Sequence, residues 1–304
     1  MWTRTFFPLM QREWLQYRFG WTLLALIPLG LALLLVGVGR FEFDEGVAAR
    51  PDVLPVMLAL IPGAIGAVLM LLVALVTGII SATGLPRRDH GDRSQEFWLS
   101  LPVSHTAAFG VPLLAHLLLL PAAAVALGGV AGQLIGSLLV GRVAGLSALA
   151  EVPWGATLAA TATLVLRLLA GLPLAVLWVL PLVLLVMLLN AWFKRWGWVV
   201  LVVGLGLMSL VDQLTLGQRW LLETMGRMLR RAAQSLMGAG GAGITIDRGA
   251  GVDTLLGLPA VAARDFGAAV AALGSPLFAG GLLFAAGCFA LLTRWRQNSS
   301  GRGD

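Results

Sequence analysis

The sequence predicts an all-α polytopic membrane protein, with six transmembrane helices plus short interfacial and coupling helices, and three observations carry that prediction. Apolar residues make up 59% of the 304 and charged residues 12%, against about 45–50% and about 25% in ordinary soluble chains. So few charges could not cover the surface of a soluble fold. Mean hydropathy is +0.90, and the apolar residues cluster into runs of eighteen or more, close to the ~20 that a helix needs to cross a bilayer.

Residues 1–20 carry Arg4, Arg12 and Arg18, while Phe6, Phe7, Met10, Trp14 and Tyr17 recur at three- and four-residue steps. That spacing places the aromatics on one side of a helix lying in the membrane interface. The apolar run Trp21–Val38 is longer than the roughly 7–15 residues of a signal-peptide core, so it is the first span. Five more follow at about Val56–Gly84, Ala107–Val140, Leu168–Asn190, Trp196–Leu216 and Ser275–Thr293. The second and third are long enough to tilt or protrude. Pro62, Pro112 and Pro121 predict kinks that a helix bundle can accommodate.

Six spans put both termini on one side, and the basic residues choose which. The N-terminus, the loop Pro86–Thr106, the turn Lys194–Arg195 and the C-terminal tail hold eleven Lys/Arg. The shorter opposite loops hold four: Arg40, Arg50, Arg142 and Arg167. The positive-inside rule then makes both termini cytoplasmic. The last opposite loop, 217–274, is too long to be counted in that comparison. It contains an amphipathic stretch, with Leu221, Leu222, Met225, Met228, Leu229 and Leu236 on one stripe and Glu223, Arg227, Arg230, Arg231 and Gln234 on the other. This predicts a helix on the outer surface, followed by a glycine-rich flexible stretch at Gly238–Gly251. The chain is thus one membrane-spanning domain over residues 1–304.

Several kinds of chemistry are excluded or disfavoured. A phosphate-binding P-loop needs Gly-Lys followed by Ser or Thr. The one lysine, Lys194, stands between Phe193 and Arg195, so any ATP would be hydrolysed by another polypeptide. The net charge of +6 is spread as arginines beside apolar segments, a pattern of membrane orientation rather than nucleic-acid binding. The lone Cys288 gives neither a disulfide nor a metal set. His90, His105 and His116 form no H-E-x-x-H pair, and no G-x-S-x-G elbow is present. Asp89, His90 and Asp92 read either as a metal set or as solvated charge in a basic loop. His116, on an apolar helix, reads as a hydrogen-bonded packing residue. With Arg167 and Asp212 near span ends, the spans hold little charge for an ion relay, which disfavours secondary transport.

Gly128, Gly132 and Gly136 form overlapping G-x-x-x-G steps in the third span, where small residues let helix backbones approach. They read as packing within the subunit or as a subunit interface. In the 86–106 loop, Asp92 can cap a short helix with Gln95 three residues on. Phe97, Trp98 and Leu101 then share one face, and Pro102 ends the turn. Such a helix either docks into a partner's groove or rests on lipid headgroups.

The stretch Asp92-Arg-Ser-Gln-Glu-Phe-Trp-Leu-Ser-Leu-Pro-Val-Ser104 resembles the D-R-S-x-x-F-W-x-S-L-P-V-S stretch of one bacterial subgroup of ABC-2-type permeases, the membrane subunits of ATP-binding-cassette transporters. Gln11-Arg-Glu-Trp-Leu-Gln-Tyr-Arg18 is similar to that family's R-E-x-W-E-x-R stretch before the first span. Asn190-Ala-Trp-Phe-Lys-Arg195 resembles its S-A-W-A-R-R turn, with Asn190 where serine is usual, and Thr293-Arg-Trp-Arg296 its basic tail. The glycine-rich last outer loop departs from the family.

The resemblance implies a permease subunit of a bacterial inner-membrane exporter. It would pair with a second permease subunit, as homo- or heterodimer, and sit on two ATPase subunits that hold ATP and Mg2+, with no cofactor in this chain. It also implies that the 86–106 loop carries the coupling helix, a role falling on Arg93, Glu96, Phe97, Trp98 and Leu101. The rival expectations are a secondary transporter or channel, a membrane-embedded enzyme lacking any visible catalytic cluster, and a membrane anchor for another complex.

Overall fold

The computed structural model describes residues 2–40, 53–91, 104–217, 219–238 and 252–300, and these contain helices and no strand. In chain order the helices are α1 (Trp2–Val38), α2 (Leu54–Gly91), α3 (His105–Leu114), α4 (Leu120–Leu139), the short α5 (Ala148–Glu151), α6 (Trp154–Phe193), α7 (Gly197–Leu216), α8 (Trp220–Met237), α9 (Val252–Ala271) and α10 (Pro276–Ser300). Wider π-helical turns at Ala115–Leu119 and Val140–Ala144 join α3 to α4 and follow α4. The chain is an all-α polytopic membrane protein.

Three layers of side chains set the direction of each helix. At one end, hereafter the near end, Leu85, Phe109, Leu113, Met187, Leu188, Cys288 and Leu292 pack together. In the middle Ala67, Leu71, Val125, Leu168, Leu172, Trp178 and Met228 do so. At the far end the cluster is Val36, Leu58, Ala59, Ile135, Leu139 and Val152. Leu9 of α1 packs on Ala107 and Val111, and Arg296 of α10 lies over the Phe109 ring at 5.2 Å. Both ends of the described chain therefore lie at the near end.

Seven helices are long and apolar enough to cross a membrane. The one beyond the six expected is Leu255–Gly274, where the sequence suggested only an outer loop. Leu255 packs beside Leu60 and Ala160, Leu273 and Phe278 join the middle layer, and Leu292 joins the near end. So α9 and α10 run end to end in one direction, broken by the 3-10 turn Ala272–Gly274. Pro259, Arg264 and Asp265 dilute the apolar pattern of α9, which is why the sequence does not single it out as a long apolar helix.

Three further expectations change. The interfacial helix expected over residues 1–20 and the first span are one continuous helix, α1. Arg167, counted as a loop residue, lies inside α6 and is buried, where its Nη1 donates to the Ser235 carbonyl at 2.6 Å. That carbonyl belongs to the last turn of α8, whose acceptors have no partner within the helix, so a cation there is favoured. The amphipathic helix exists as α8, but its apolar side does not lie on the outer surface. Met228, Ala232 and Leu236 are buried against α6 in the middle layer, while Leu222 and Leu229 stay exposed.

The tightest seam joins α2 to α4. A Cβ on Gly128, Gly132 or Gly136 would run into the carbonyl oxygens of Gly66, Pro62 and Ala59 respectively. The G-x-x-x-G steps are therefore used inside the subunit, and that side of α4 is closed to a second copy. Gln133 crosses the same seam, donating to the Ala59 carbonyl at 3.2 Å and accepting from the Thr161 hydroxyl at 2.9 Å.

The seam predicts a contrast between two glycines. In an open helix position Gly→Ala stabilises by about 0.5–1 kcal/mol, and Gly204 on α7 has nothing within 4 Å. Gly204→Ala should therefore hold or raise the melting temperature in detergent. Gly132→Ala should lower it, because forced overpacking costs about 1–3 kcal/mol. Equal melting temperatures for the two variants would contradict the seam.

Candidate functional site

The strongest concentration of polar chemistry among the described residues lies at the near end, where α1, α2 and the turn between α3 and α4 converge. On α1, Glu13, Tyr17 and Trp21 recur every four residues and so share one face. Arg88 comes from the last turn of α2, three residues before its end at Gly91. His116 comes from the π-helical turn Ala115–Leu119, between Pro112 and Pro121. Such turns are uncommon and recur at functional sites. Gly78 of α2 passes so close to the His116 carbonyl that a Cβ would collide with it.

Glu13 is the hub. Arg88 donates to it through both terminal nitrogens, Nη1 to Oε2 at 2.9 Å and Nη2 to Oε1 at 2.8 Å. His116 Nε2 lies 3.2 Å from Oε2. A carboxylate only accepts, so Nε2 carries the proton, leaving the buried Nδ1 without a hydrogen-bond partner. Glu13 is 1% exposed and His116 0%. The rings of Tyr17 and Trp21 meet the imidazole edge-on at 4.8 and 5.6 Å and stack on each other. Burial works against the charge on Arg88, but the hydrogen bonds and charge of Glu13 outweigh it and raise the Arg88 pKa above the ordinary arginine value. Arg88 is therefore a permanent cation, matched by one carboxylate in a fork geometry that arginine suits and lysine does not.

This arrangement ties three helices at the root of the 86–106 loop. Ser104, the last residue of the Leu-Pro-Val-Ser stretch, caps α3 by accepting from the Ala107 amide at 3.3 Å. Arg93, Glu96, Phe97, Trp98 and Leu101 lie in the span 92–103, outside the described residues, as do Asp92 and the side chains of Asp89 and His90. No group of three or more potential metal ligands occurs among the described residues. His116 packs against the Tyr17 and Trp21 rings with one ring nitrogen hydrogen-bonded and the other not, where the sequence suggested a fully satisfied packing residue.

Two other resemblance-bearing pieces also converge on the near end. Asn190 donates from Nδ2 to the Thr83 carbonyl of α2 at 2.9 Å. The α6–α7 turn then reverses through Lys194 at φ 54°, a left-handed conformation rare outside glycine, and Gly197 packs directly on Asn190. Arg296 of the C-terminal basic stretch is buried beneath Phe109. The sequence did not reveal that Glu13 and Arg88 would meet. The available signal was a lone acid among the arginines of residues 1–20, in a segment expected to face basic loops.

Comparisons with protein-family models, with curated proteins and with solved structures find no match.

Breaking the hub should be costly. Removing one partner of a buried ion pair typically destabilises by about 3–5 kcal/mol, whereas replacing both with apolar residues is often neutral. Glu13→Gln should lower the melting temperature in detergent more than the double variant Glu13→Leu with Arg88→Met. If Glu13→Gln proves as stable as the parent, the hub carries no structural role.

Proposed function

We propose that this chain is the transmembrane permease subunit of a bacterial inner-membrane ABC exporter, driven by ATP that a separate nucleotide-binding subunit hydrolyses. The observation that carries the reading is the Asp92–Ser104 stretch, which leaves α2 and enters α3 where the Glu13 hub ties both to α1. The lone lysine outside any P-loop agrees with an ATPase in another chain, which would hold ATP and Mg2+. The Lys/Arg distribution agrees with a cytoplasmic near end, and the paired second permease subunit follows from the resemblance alone.

In this reading Phe97, Trp98 and Leu101 are the anchors seated in a groove on the ATPase, with Arg93 and Glu96 on the charged side. Movement of that seat pulls on the end of α2. Arg88 passes the displacement to α1 through Glu13, and Glu13 passes it to the π-helical turn through His116. The hub makes the three helices respond as one body rather than singly. The Glu13–His116 contact also supplies the buried carboxylate that an ion-coupled secondary transporter would need, so that rival remains the one to test against. Arg88 opposes it, because its two hydrogen bonds engage both oxygens of that carboxylate.

Two experiments separate these readings. Phe97→Ala with Trp98→Ala should reduce capture of the ATPase subunit by roughly thirtyfold, since truncated interface anchors cost on the order of 2 kcal/mol or more. Substrate-stimulated ATP hydrolysis should fail with it, while insertion and detergent stability are kept. Unchanged capture and hydrolysis would remove the coupling helix. In intact cells, cysteine at Ser94 should resist membrane-impermeant thiol reagents and cysteine at Leu146, exposed in the far-end turn, should react. Ready reaction at Ser94 would overturn the topology.

A further inference from the structure

The outward side of α8 is charged at the level where the bundle is most apolar. Glu223, Arg227, Arg230, Arg231 and Gln234 share one side of the helix at its 3.6-residue period, opposite the buried stripe of Met228, Ala232 and Leu236. The three arginines and Glu223 are exposed. Their depth follows from two close approaches. A Cβ on Gly281 of α10 would meet both Met228 and Pro181, and a Cβ on Gly171 would meet the Ser235 carbonyl. Met228 is therefore level with Pro181 of α6, and Ser235 with Gly171. Arg230 and Arg231 lie between those levels, and Arg227 adjoins the first. Over Leu168–Asn190 α6 carries no ionisable side chain, and Met228, Ala232 and Leu236 belong to the middle layer. The arginines thus stand at the depth of the hydrocarbon core.

Charged side chains at that depth face protein or a water-filled cavity rather than lipid. Arg227 donates to the Thr224 hydroxyl at 3.1 Å and Arg231 to the Gln234 side-chain oxygen at 3.4 Å, both uncharged partners. Arg230 folds back beside Gly226. Among the described residues no carboxylate forms an ion pair with any of the three, and the one acid on this side, Glu223, leaves it with an excess of positive charge. Like charges three and four residues apart on a helix repel one another. A second copy meeting this side with its own α8 would add three more arginines, so a dry contact between copies does not suit it. Water and an anion do, because the planar guanidinium matches carboxylate and phosphate oxygens. We propose that this side of α8 lines a water-filled passage at membrane depth, where Arg227, Arg230 and Arg231 bind an anionic group, phosphate or carboxylate, of the molecule carried. The class of cargo rests on the transport reading, whereas the access of water and the preference for anions do not require the ATPase.

The full chain would be placed in phosphatidylcholine nanodiscs with Gln234→Cys or, separately, Glu223→Cys in a Cys288→Ser background, two reporters that guard against either one misfolding. Each would be treated with an anionic (sulfonatoethyl) and a cationic (trimethylammonioethyl) methanethiosulfonate, every rate being divided by that of the same reagent with a free thiol. Both reporters should react, and at Gln234→Cys the anionic reagent should be favoured at least fivefold. Leu229→Cys, on the exposed apolar edge of α8, should react at least tenfold more slowly. Adding Arg230→Gln with Arg231→Gln should remove the anionic preference and keep the reaction with the cationic reagent. Pyrophosphate at constant ionic strength should slow the anionic reagent at least threefold, and should lose that effect in the double variant. Failure of both reporters to react would mean that lipid or protein covers this side, and would overturn the passage. Equal normalised rates would mean that carboxylates of the chain already neutralise the arginines, and would overturn the anion site. Protection by phosphatidylglycerol added to the disc but not by pyrophosphate would make this a lipid-headgroup contact and overturn the passage. Rapid disulfide formation between copies at Gln234→Cys, with neither reagent reacting, would overturn it in favour of a sealed contact between copies. Loss of ATPase capture would leave these rates unchanged, so the two readings fail separately.

Discussion

Helices already in lipid gain little from the hydrophobic effect by associating, so the bundle must be held by close packing and by polar groups that have nowhere else to go. The contact of α2 with α3 and α4 meets that constraint along its whole height. Gly66, Gly128, Gly132 and Gly136 bring two backbones together, Gln133 adds a polar tie at the far half, and Gly78 admits the π-helical turn that carries His116. The hub is placed by this seam. It fixes where His116 meets Glu13, and where Gln133 reaches across to Thr161 of α6. Each is a local consequence of two helices lying closer than most residue types permit.

The charged groups are distributed to suit a low-dielectric interior. Glu13 and Arg88 neutralise each other with both oxygens and two nitrogens engaged, the geometry in which a buried pair loses least by leaving water. Arg167 is handled differently, through the carbonyl-rich end of α8, the ring of Phe266 at 5.8 Å and the charge of Asp265. Arg296 lies over an aromatic face, that of Phe109. Among the described residues, the contacts of Arg88 with a carboxylate, of Arg167 with a helix end and of Arg296 with a ring thus differ in kind. Only the first ties together elements on both sides of the 86–106 loop, which is why the near end rather than the far end is the mechanically connected part.

Composition and apolar run length made the helical membrane class legible, along with α2, α4, α6, α7 and α10, because desolvated backbone leaves little choice but helix. Two kinds of feature were not legible. Continuity was one: α1 joins a basic aromatic segment to an apolar one with no breaker between them, and α9 hides behind Pro259, Arg264 and Asp265. Pairing was the other. Glu13 stands 75 residues from Arg88 and 103 from His116, and no local pattern announces partners at such separations. The spacing of Gly128, Gly132 and Gly136 announced a close approach but not its partner. The anchoring role proposed for Phe97 and Trp98 rests on the sequence alone.

The hub role of α6 carries a consequence for biosynthesis. This helix spans 40 residues and meets α2 and α4 on one side and α8, α9 and α10 on the other. By the time Phe193 has left the ribosome, every helix of the α2–α4–α6 scaffold has been synthesised. The amphipathic α8 and the weakly apolar α9 emerge afterwards, onto a finished template. The buried side of α8 can therefore meet α6 as soon as it is made. Chain order lets the nascent protein postpone its least hydrophobic helix, α8, until there is protein to receive it.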